Sequence, residues 1–362
     1  MDSDQRKHVV VAMSGGVDSS VAAALLVEQG YRVTGIMMRL WSEPGVFATP
    51  RDNRCCTRDQ MLDAAFVARR LGIPFEVLDA REVFRQNVVD RFVEGYSRGV
   101  TPNPCLSCNR HIRFTFLLNA ALERGADYLA TGHYARITRS AGNGFELRQG
   151  ADPAKDQSYV LSVMTQHQLA HTLFPVGEYT KPEVRALAER FNLPVASKSE
   201  SQDLCFVADG DYRRFLTTVA VEFAPGPITL TSGRVIGEHT GLPAYTIGQR
   251  KGLGLSWPEP LYVLRKDTAA NTLIVGTRAE LGTDTLTVDE VSWIAGSSPQ
   301  PVFRANVKVR YKAKPATCQV EVLTQNRIHI ALDEPLPDVT PGQGAVLYDG
   351  DRVLGCGVIA QG

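Results

Sequence analysis

Along the first 140 residues, apolar positions alternate between short β-branched runs and longer stretches at helical spacing. Val9-Val10-Val11-Ala12 and residues 32–40, 75–78 and 126–131 are runs of the first kind. Residues 21–28 follow the first run as a helix, and residues 61–71 are spaced as another, with Leu62, Ala65, Phe66 and Arg69 one or two turns apart. Residues 82–96 are a third, carrying Val83, Phe84, Val88, Val89, Phe92 and Val93 on one broad face. This alternation predicts a mainly parallel sheet with helices on both faces, whose ligands sit at the carboxyl ends of the strands. From about Pro225 the pattern changes to short runs separated by Gly, Pro and Thr, at 228–230, 262–264, 272–275, 285–288, 320–323 and 328–332. Many short strands between turn residues predict small β-domains or a barrel.

Three domains follow: 1–210, 211–280 and 281–362, in a chain of 362 residues that exceeds a usual single core. Lys+Arg and Asp+Glu balance at 39 each, so any nucleic-acid surface must be local. No apolar run is long enough to cross a bilayer, and residues 1–7 are polar with no signal-peptide core behind them, so the expectation is a cytoplasmic protein with no membrane partner. Seven cysteines, an odd count, read as thiols, metal ligands or catalytic groups rather than a disulfide framework.

The densest signal is Val9 to Ser20, a strand, a Ser14-Gly15-Gly16 turn and a helix start at Asp18-Ser19-Ser20. Glycines let the backbone approach phosphate oxygens, and the unpaired N–H groups of the helix point at them. Asp18 or Ser19 is the expected helix cap. The spacing is neither a Walker loop nor G-x-G-x-x-G. Met38 and Gly132-His133 also fall at strand ends, so they are expected to converge with the turn on one nucleotide.

Cys105-Leu106-Ser107-Cys108 follows Thr101-Pro102-Asn103-Pro104, whose prolines predict an extended loop before a helix near Arg110. A thiol there, with Arg110, His111 and Arg113 close by, has reason to ionise. Cys205 lies in a third segment, 199–206. Half a zinc site, a redox pair and a sulfur relay all compete for this set, and spacing does not choose between them. Cys55-Cys56 read as an incidental loop pair, and Cys318 and Cys356 as small core hydrophobes.

Taken together, SGGVDSS at 14–20, TPNPCxxCN at 101–109, TGHYAR at 131–136, KDQSY at 155–159, SxSQDLCF at 199–206 and YTIGQRKGLGL at 245–255 resemble the tRNA-specific 2-thiouridylases, the MnmA/TrmU family of PP-loop ATP pyrophosphatases. The resemblance spans essentially the whole chain. A PP-loop amidating enzyme would explain the first motif and neither cysteine motif.

The resemblance implies an adenine-nucleotide α-hydrolase-like α/β domain, a small central mostly-β domain and a C-terminal β-barrel. It implies ATP with Mg²⁺, held at Ala12, Met13, Ser14, Gly15, Gly16, Val17, Asp18, Ser19, Met38 and Gly132. ATP would adenylate O2 of the wobble uridine of the tRNAs for Lys, Glu and Gln. Cys108 would be the nucleophile and Cys205 the persulfide carrier, loaded by a cysteine desulfurase or a relay protein. A Cys108–Cys205 disulfide would close each cycle. Many members carry Asp where this chain has Cys105, so the role of that Asp is not carried over. Cys105, Cys108 and Cys205 are also three thiolates able to hold a 4Fe-4S cluster.

For the RNA, residues 304–314 alternate strictly, with Arg304, Lys308, Arg310, Lys312 and Lys314 predicted on one face of a strand as a phosphate track. The resemblance places RNA at Arg310 and Tyr311, the target base at Asn103, Pro104 and Cys105, and further tRNA contact at Lys155, Asp156 and Gln157. The 249–252 loop reads equally as an RNA contact or a tight turn. His133 reads as a packed or hydrogen-bonding residue.

Overall fold

The computed structural model describes residues 5–41, 43, 57–140, 142, 144–196, 198, 204–207, 209–219, 221–337 and 339–361. Cys55-Cys56 and residues 199–203 of the third cysteine motif lie outside the described residues.

Five parallel strands form the first sheet, in the order Phe75–Asp79, Arg32–Arg39, His8–Ala12, Tyr128–Ala130, Thr172–Leu173. In the middle strand Val9, Val10 and Val11 are all wholly buried. Val9 and Val11 enter one hydrophobic cluster and Val10 the other, as the two faces of a covered parallel sheet require. Helices Val17–Glu28, Arg58–Leu71 and Lys181–Arg190 cover the first face. The helical stretches 81–97 and 104–123 cover the second, and each contains a π-helical segment, Arg85–Val89 and Cys108–Leu117.

Helix Arg58–Leu71 contains the stretch 61–71 that the spacing predicts. Its inward face is Ala64, Val67 and Ala68, while Leu62 and Phe66 are exposed. The helical period was legible, but the small residues, which let the helix lie close to the sheet, take the inward side.

The chain steps outward from the middle strand to one edge, then returns to build the other side. The switch point therefore lies between His8–Ala12 and Tyr128–Ala130, where loops diverge and leave a crevice.

The central domain is a four-stranded sheet with its own core around Ile228, Val263, Leu273 and Val275. The last domain is a closed six-stranded barrel, running Thr283–Trp293, Arg327–Leu336, Ala316–Thr324, Val302–Lys308, Gly344–Asp349, Arg352–Ile359 and back to the first. Cys318 and Cys356 are buried in its strands, as expected of small hydrophobes.

A hairpin of the first domain, Ala135–Arg139 with Phe145–Gln149, extends the barrel sheet beside Arg352–Ile359. Asp351 accepts from Arg136 and Arg148 at 2.8 and 2.6 Å, and tightens this seam. Among the described residues no helix is long and apolar enough to cross a membrane.

Candidate active site

The turn after the first strand is shaped mainly by serines. Gly16 is the helix N-cap and no side chain caps it, so the expected Asp18 or Ser19 cap is corrected. Ser19 instead accepts the Ser14 backbone N–H at 3.2 Å and donates to the Gly16 carbonyl at 3.3 Å. Ser20 donates to the same carbonyl at 2.8 Å. The serine hydroxyls tie the loop to the helix. Gly132, across the crevice, comes so near that a β-carbon there would lie 2.5 Å from the Ser19 nitrogen. Met13 and Met38 are buried on opposite faces of the sheet beside this turn, Val17 is buried, and Ala12 is half-buried.

Asp18 faces inward to a partner set that the sequence did not disclose. Its carboxylate accepts from the Tyr134 hydroxyl and from Lys181 Nζ, each at 2.7 Å. Lys198 Nζ donates to the Gly15 carbonyl at 2.9 Å and to Asp63 at 2.6 Å. Tyr134 was within reach of the TGHYAR motif. Neither lysine had a local signal.

The cysteine loop corrects two expectations. The helix begins at Pro104, not near Arg110, because Asn103 caps it by accepting from the N–H groups of Cys105 and Leu106 at 3.1 and 3.3 Å. Proline at the first helical position needs no N–H, so it starts the helix rather than delaying it. Cys105 and Cys108 therefore stand one turn apart.

The thiols are also not primed as free thiolates. Cys108 is buried, and desolvation pushes its thiol up to about 12 against the opposing pull of Arg113. Desolvation pushes Cys105 in the same direction, but its side chain is exposed, which weakens that push and leaves it the more accessible of the two. Arg113 Nη1 lies 3.5 Å from Cys108 Sγ and 3.2 Å from Asn109 Oδ1. The wide π-helical turn brings a residue five positions on round to the thiol.

Cys205, half-buried, packs against the cluster that holds Cys108 and lies near enough to both Cys105 and Cys108 to resist their ionisation. All five described cysteines are free thiols. Among the described residues no three His, Cys, Asp or Glu side chains gather as a metal-binding set. Cys105, Cys108 and Cys205 are nonetheless neighbours, coupled electrostatically to one another.

His133 joins the two sites. It follows Gly132, its Nδ1 lies 2.7 Å from the Thr131 hydroxyl, and its ring packs against Phe114 and Phe174. Burial and the charge of Arg113 lower its pKa to about 3, so the imidazole is neutral.

The basic run is not one strand face, which is a further correction. The strand ends at Lys308, and residues 309–313 form a turn. Arg304 pairs with Asp333. Lys308 is largely buried over the Tyr348 ring and 3.8 Å from Asp156. Arg310 donates to the Ile247 carbonyl and the Thr340 hydroxyl, at 3.0 and 2.7 Å, across the junction with the central domain. Tyr311 is exposed, with its ring 6.1 Å from that of Tyr159. Tyr159 in turn feels Asn103 and Arg310, so this turn borders the cysteine loop.

Asp156 is buried and accepts from Gly150 and Ser158 backbone N–H groups at 3.1 and 3.0 Å, while Gln157 accepts from the Tyr134 N–H at 2.9 Å. Lys155 is the half-buried member of that turn. In the 249–252 loop, Gln249 closes the turn on itself through Thr246 and Lys251.

A switch-point phosphate loop on a parallel sheet, followed by two small β-domains, defines a nucleotide-binding α/β enzyme with appended barrels. Family models match it throughout: a tRNA methyl transferase HUP domain over 7–209, a tRNA methyl transferase PRC-barrel domain over 213–277 and an aminomethyltransferase β-barrel domain over 283–359. The tRNA-specific 2-thiouridylase MnmA of Geobacter metallireducens is 48% identical over 363 residues, covering 99% of this chain and 98% of its own. Those of Geotalea uraniireducens and Magnetococcus marinus are each 48% identical, over 99% and 98% of this chain and 96% and 99% of their own. The chain belongs to the family of tRNA-specific 2-thiouridylases, which are tRNA sulfurtransferases.

Proposed function

We propose that this protein uses ATP to convert the wobble uridine of the tRNAs for Lys, Glu and Gln to 2-thiouridine, with AMP and pyrophosphate as by-products. The observation that carries the reading is the continuity of the two sites. Gly132 closes on the phosphate loop, His133 follows it, and Arg113 acts on both His133 and the Cys108 thiol.

In the first step O2 of the uridine attacks the α-phosphorus of ATP bound at Ala12 to Ser19, Met38 and Gly132, and pyrophosphate leaves. Asp18, partly exposed in the loop, would hold the Mg²⁺, which would shield the polyphosphate. Asn103, Pro104 and Cys105 would line the base pocket, where an anticodon base is unstacked at little cost because its loop is single-stranded. Tyr311 offers an exposed ring beside that pocket for stacking. Lys155 would lie along the tRNA backbone, Asp156 and Gln157 act by shaping the turn that carries it, and Arg310 acts by holding the turn that presents Tyr311.

In the second step a persulfide on Cys205, supplied by a cysteine desulfurase or relay protein, delivers sulfur. The Cys108 thiolate attacks the Cys205 inner sulfur, forming the Cys108–Cys205 disulfide and releasing HS⁻. HS⁻ attacks C2, AMP departs with the C2 oxygen, and loss of the remaining S–H proton leaves the thiocarbonyl. Two equivalents of an external thiol then reduce the disulfide and leave as a disulfide of their own. The burial that raises Cys108 keeps its thiol protonated until substrate is seated, and Arg113 is the cation placed to stabilise the thiolate.

The test is 2-thiouridine formation by iron-free protein with ATP, Mg²⁺, unmodified tRNA for Glu and a persulfide-loading desulfurase. Full turnover is expected, with none in Cys108→Ala or Cys205→Ala although both retain tRNA binding. Product only after a 4Fe-4S cluster is rebuilt would overturn the thiol route, and undiminished thiolation by both variants would overturn the assignment.

A further inference from the structure

The phosphate loop has a charge problem of its own. Residues 9–20 contain one acid, Asp18, and no Lys or Arg. Backbone N–H groups and serine hydroxyls supply only partial charges against a polyphosphate, and Asp18, as a Mg²⁺ ligand, would meet it only through the metal. Any side-chain cation for it must come from elsewhere in the chain.

Two ammonium groups already touch the loop, both from the last segment of the α/β domain. Lys181 is the first residue of helix Lys181–Arg190, and its backbone N–H is fixed by Asp152 at 2.9 Å. Its stem is buried, its Nζ lies 5.8 Å from the centre of the Tyr134 ring, and it donates to Asp18 at 2.7 Å. Lys198 lies beyond that helix and donates to the Gly15 carbonyl at 2.9 Å and to Asp63 at 2.6 Å. One lysine thus sits on the helix side of the glycine pair and the other on the turn itself. The short distance to Asp18 or Gly15 places each ammonium within a side-chain rotation of anything bound over the turn.

We propose that Lys181 and Lys198 are the cations that bind the pyrophosphate part of ATP, resting on Asp18 and on Gly15 with Asp63 when the loop is empty. The proposal rests on reading 14–20 as the ATP site. On binding, each ammonium exchanges a carboxylate or carbonyl oxygen for a phosphate oxygen. Tyr134 stays hydrogen-bonded to Asp18, so that carboxylate is not left bare. The lysines then discriminate between nucleotides by their outer phosphates: they favour ATP and free pyrophosphate and do little for AMP. They also help to hold the leaving group while O2 attacks.

The test compares ATP, AMP and inorganic pyrophosphate binding by calorimetry in the full chain carrying Lys181→Met or Lys198→Met, with Lys181→Arg alongside. Methionine keeps the apolar stem, and AMP binding reports whether the fold and the adenosine half survive. ATP and pyrophosphate should bind roughly 10- to 100-fold more weakly, the loss of one charge-assisted contact, with AMP affinity unchanged and partial recovery in Lys181→Arg. Equal weakening of ATP and AMP, or no change in ATP, would overturn the proposal. Gly132→Val separates this from the underlying reading. If that variant binds ATP normally, the site itself is wrong; if it does not and the lysine variants do, only the lysine proposal fails.

Discussion

Seven consecutive residues and a closely apposed glycine shape the phosphate loop, whereas the cysteine loop is braced by a domain about 240 positions further along the chain. Gln343 of the barrel donates to the carbonyls of Thr101 and Pro102, at 2.8 and 3.4 Å, and Thr101 donates to the Pro341 carbonyl at 2.9 Å. Leu106, between the two cysteines, meets Gly344 of the same barrel loop. The serine–glycine turn is therefore held within the α/β domain, whereas the cysteine loop is held in part by the barrel. Nucleotide binding and sulfur chemistry should be separable by substitution, and the largest effects come from positions where backbone meets backbone.

Gly132→Val is the most severe. Its added carbons would press on the Ser19 nitrogen and the Asp18 carbonyl carbon, at 2.5 and 2.6 Å for the first of them, and neither atom can rotate away. ATP binding should fall by at least about 100-fold, since a phosphate contact and the crevice are lost together. Calorimetric titration with ATP checks it. Thiolation should disappear with it.

Gly342→Ala breaks the other region. Gly342 has φ +89°, and a β-carbon would lie 3.0 Å from the Thr101 backbone. The left-handed conformation and the contact together should cost about 1–3 kcal/mol of stability in a melting experiment. Thiolation kcat should fall about tenfold as Asn103 and the cysteines shift. ATP affinity should stay within about twofold, as expected of a loop that needs no barrel. Loss of ATP affinity in this variant would show the two regions to be one.

Arg113→Gln has a smaller effect and tests the thiol itself. With Cys108 raised to about 12, its iodoacetamide labelling should climb about tenfold per pH unit from pH 7 to 10 without a plateau. The folded thiol is held above the ordinary value, near 9, of the unfolded chain, so its contribution to stability is full below pH 9 and is lost as pH rises toward 12. Arg113 pulls the thiol downward, and without it labelling at pH 8 should slow by roughly three- to tenfold. Peptide mass spectrometry over a pH series reads this directly. A plateau near pH 8 in the unmodified protein would show Cys108 to be ionised already.

The same contrast governs what could be read from residues alone. Strand runs such as Val9-Val10-Val11 and the serine–glycine turn are local patterns, and they stand where their spacing predicts. The helix at Pro104 was misplaced because proline was weighed as a breaker, when the preceding Asn103 cap makes it a helix start. The hairpin at 135–149 was missed because its outer partner is a barrel strand two hundred residues later, joined through Arg148 and Arg352. Arg113 had the right neighbour in sequence but the wrong angle for an α-helix, and a π-helical turn is not written in periodicity. Lys181 and Lys198 reach the loop only through the fold.

The basic run gives the smallest prediction and sharpens the comparison furthest. Alternation placed five cations on one face, but the chain turns after Lys308, and three of the five take partners inside the molecule. Arg304 is exposed and paired with Asp333, so Arg304→Ala should leave tRNA affinity within about twofold and its salt slope unchanged. Lys312 and Lys314, exposed in and just after the turn beside Tyr311, should carry the electrostatics instead. The double change Lys312→Ala with Lys314→Ala should reduce the slope of log affinity against log salt by about 1–2, one phosphate contact contributing about 0.7 to 0.9. Filter binding of tRNA for Glu across a salt series distinguishes them. If Arg304→Ala flattened the slope and the double variant did not, the RNA would follow the strand face, and the turn beside the cysteine loop would have no part in holding it.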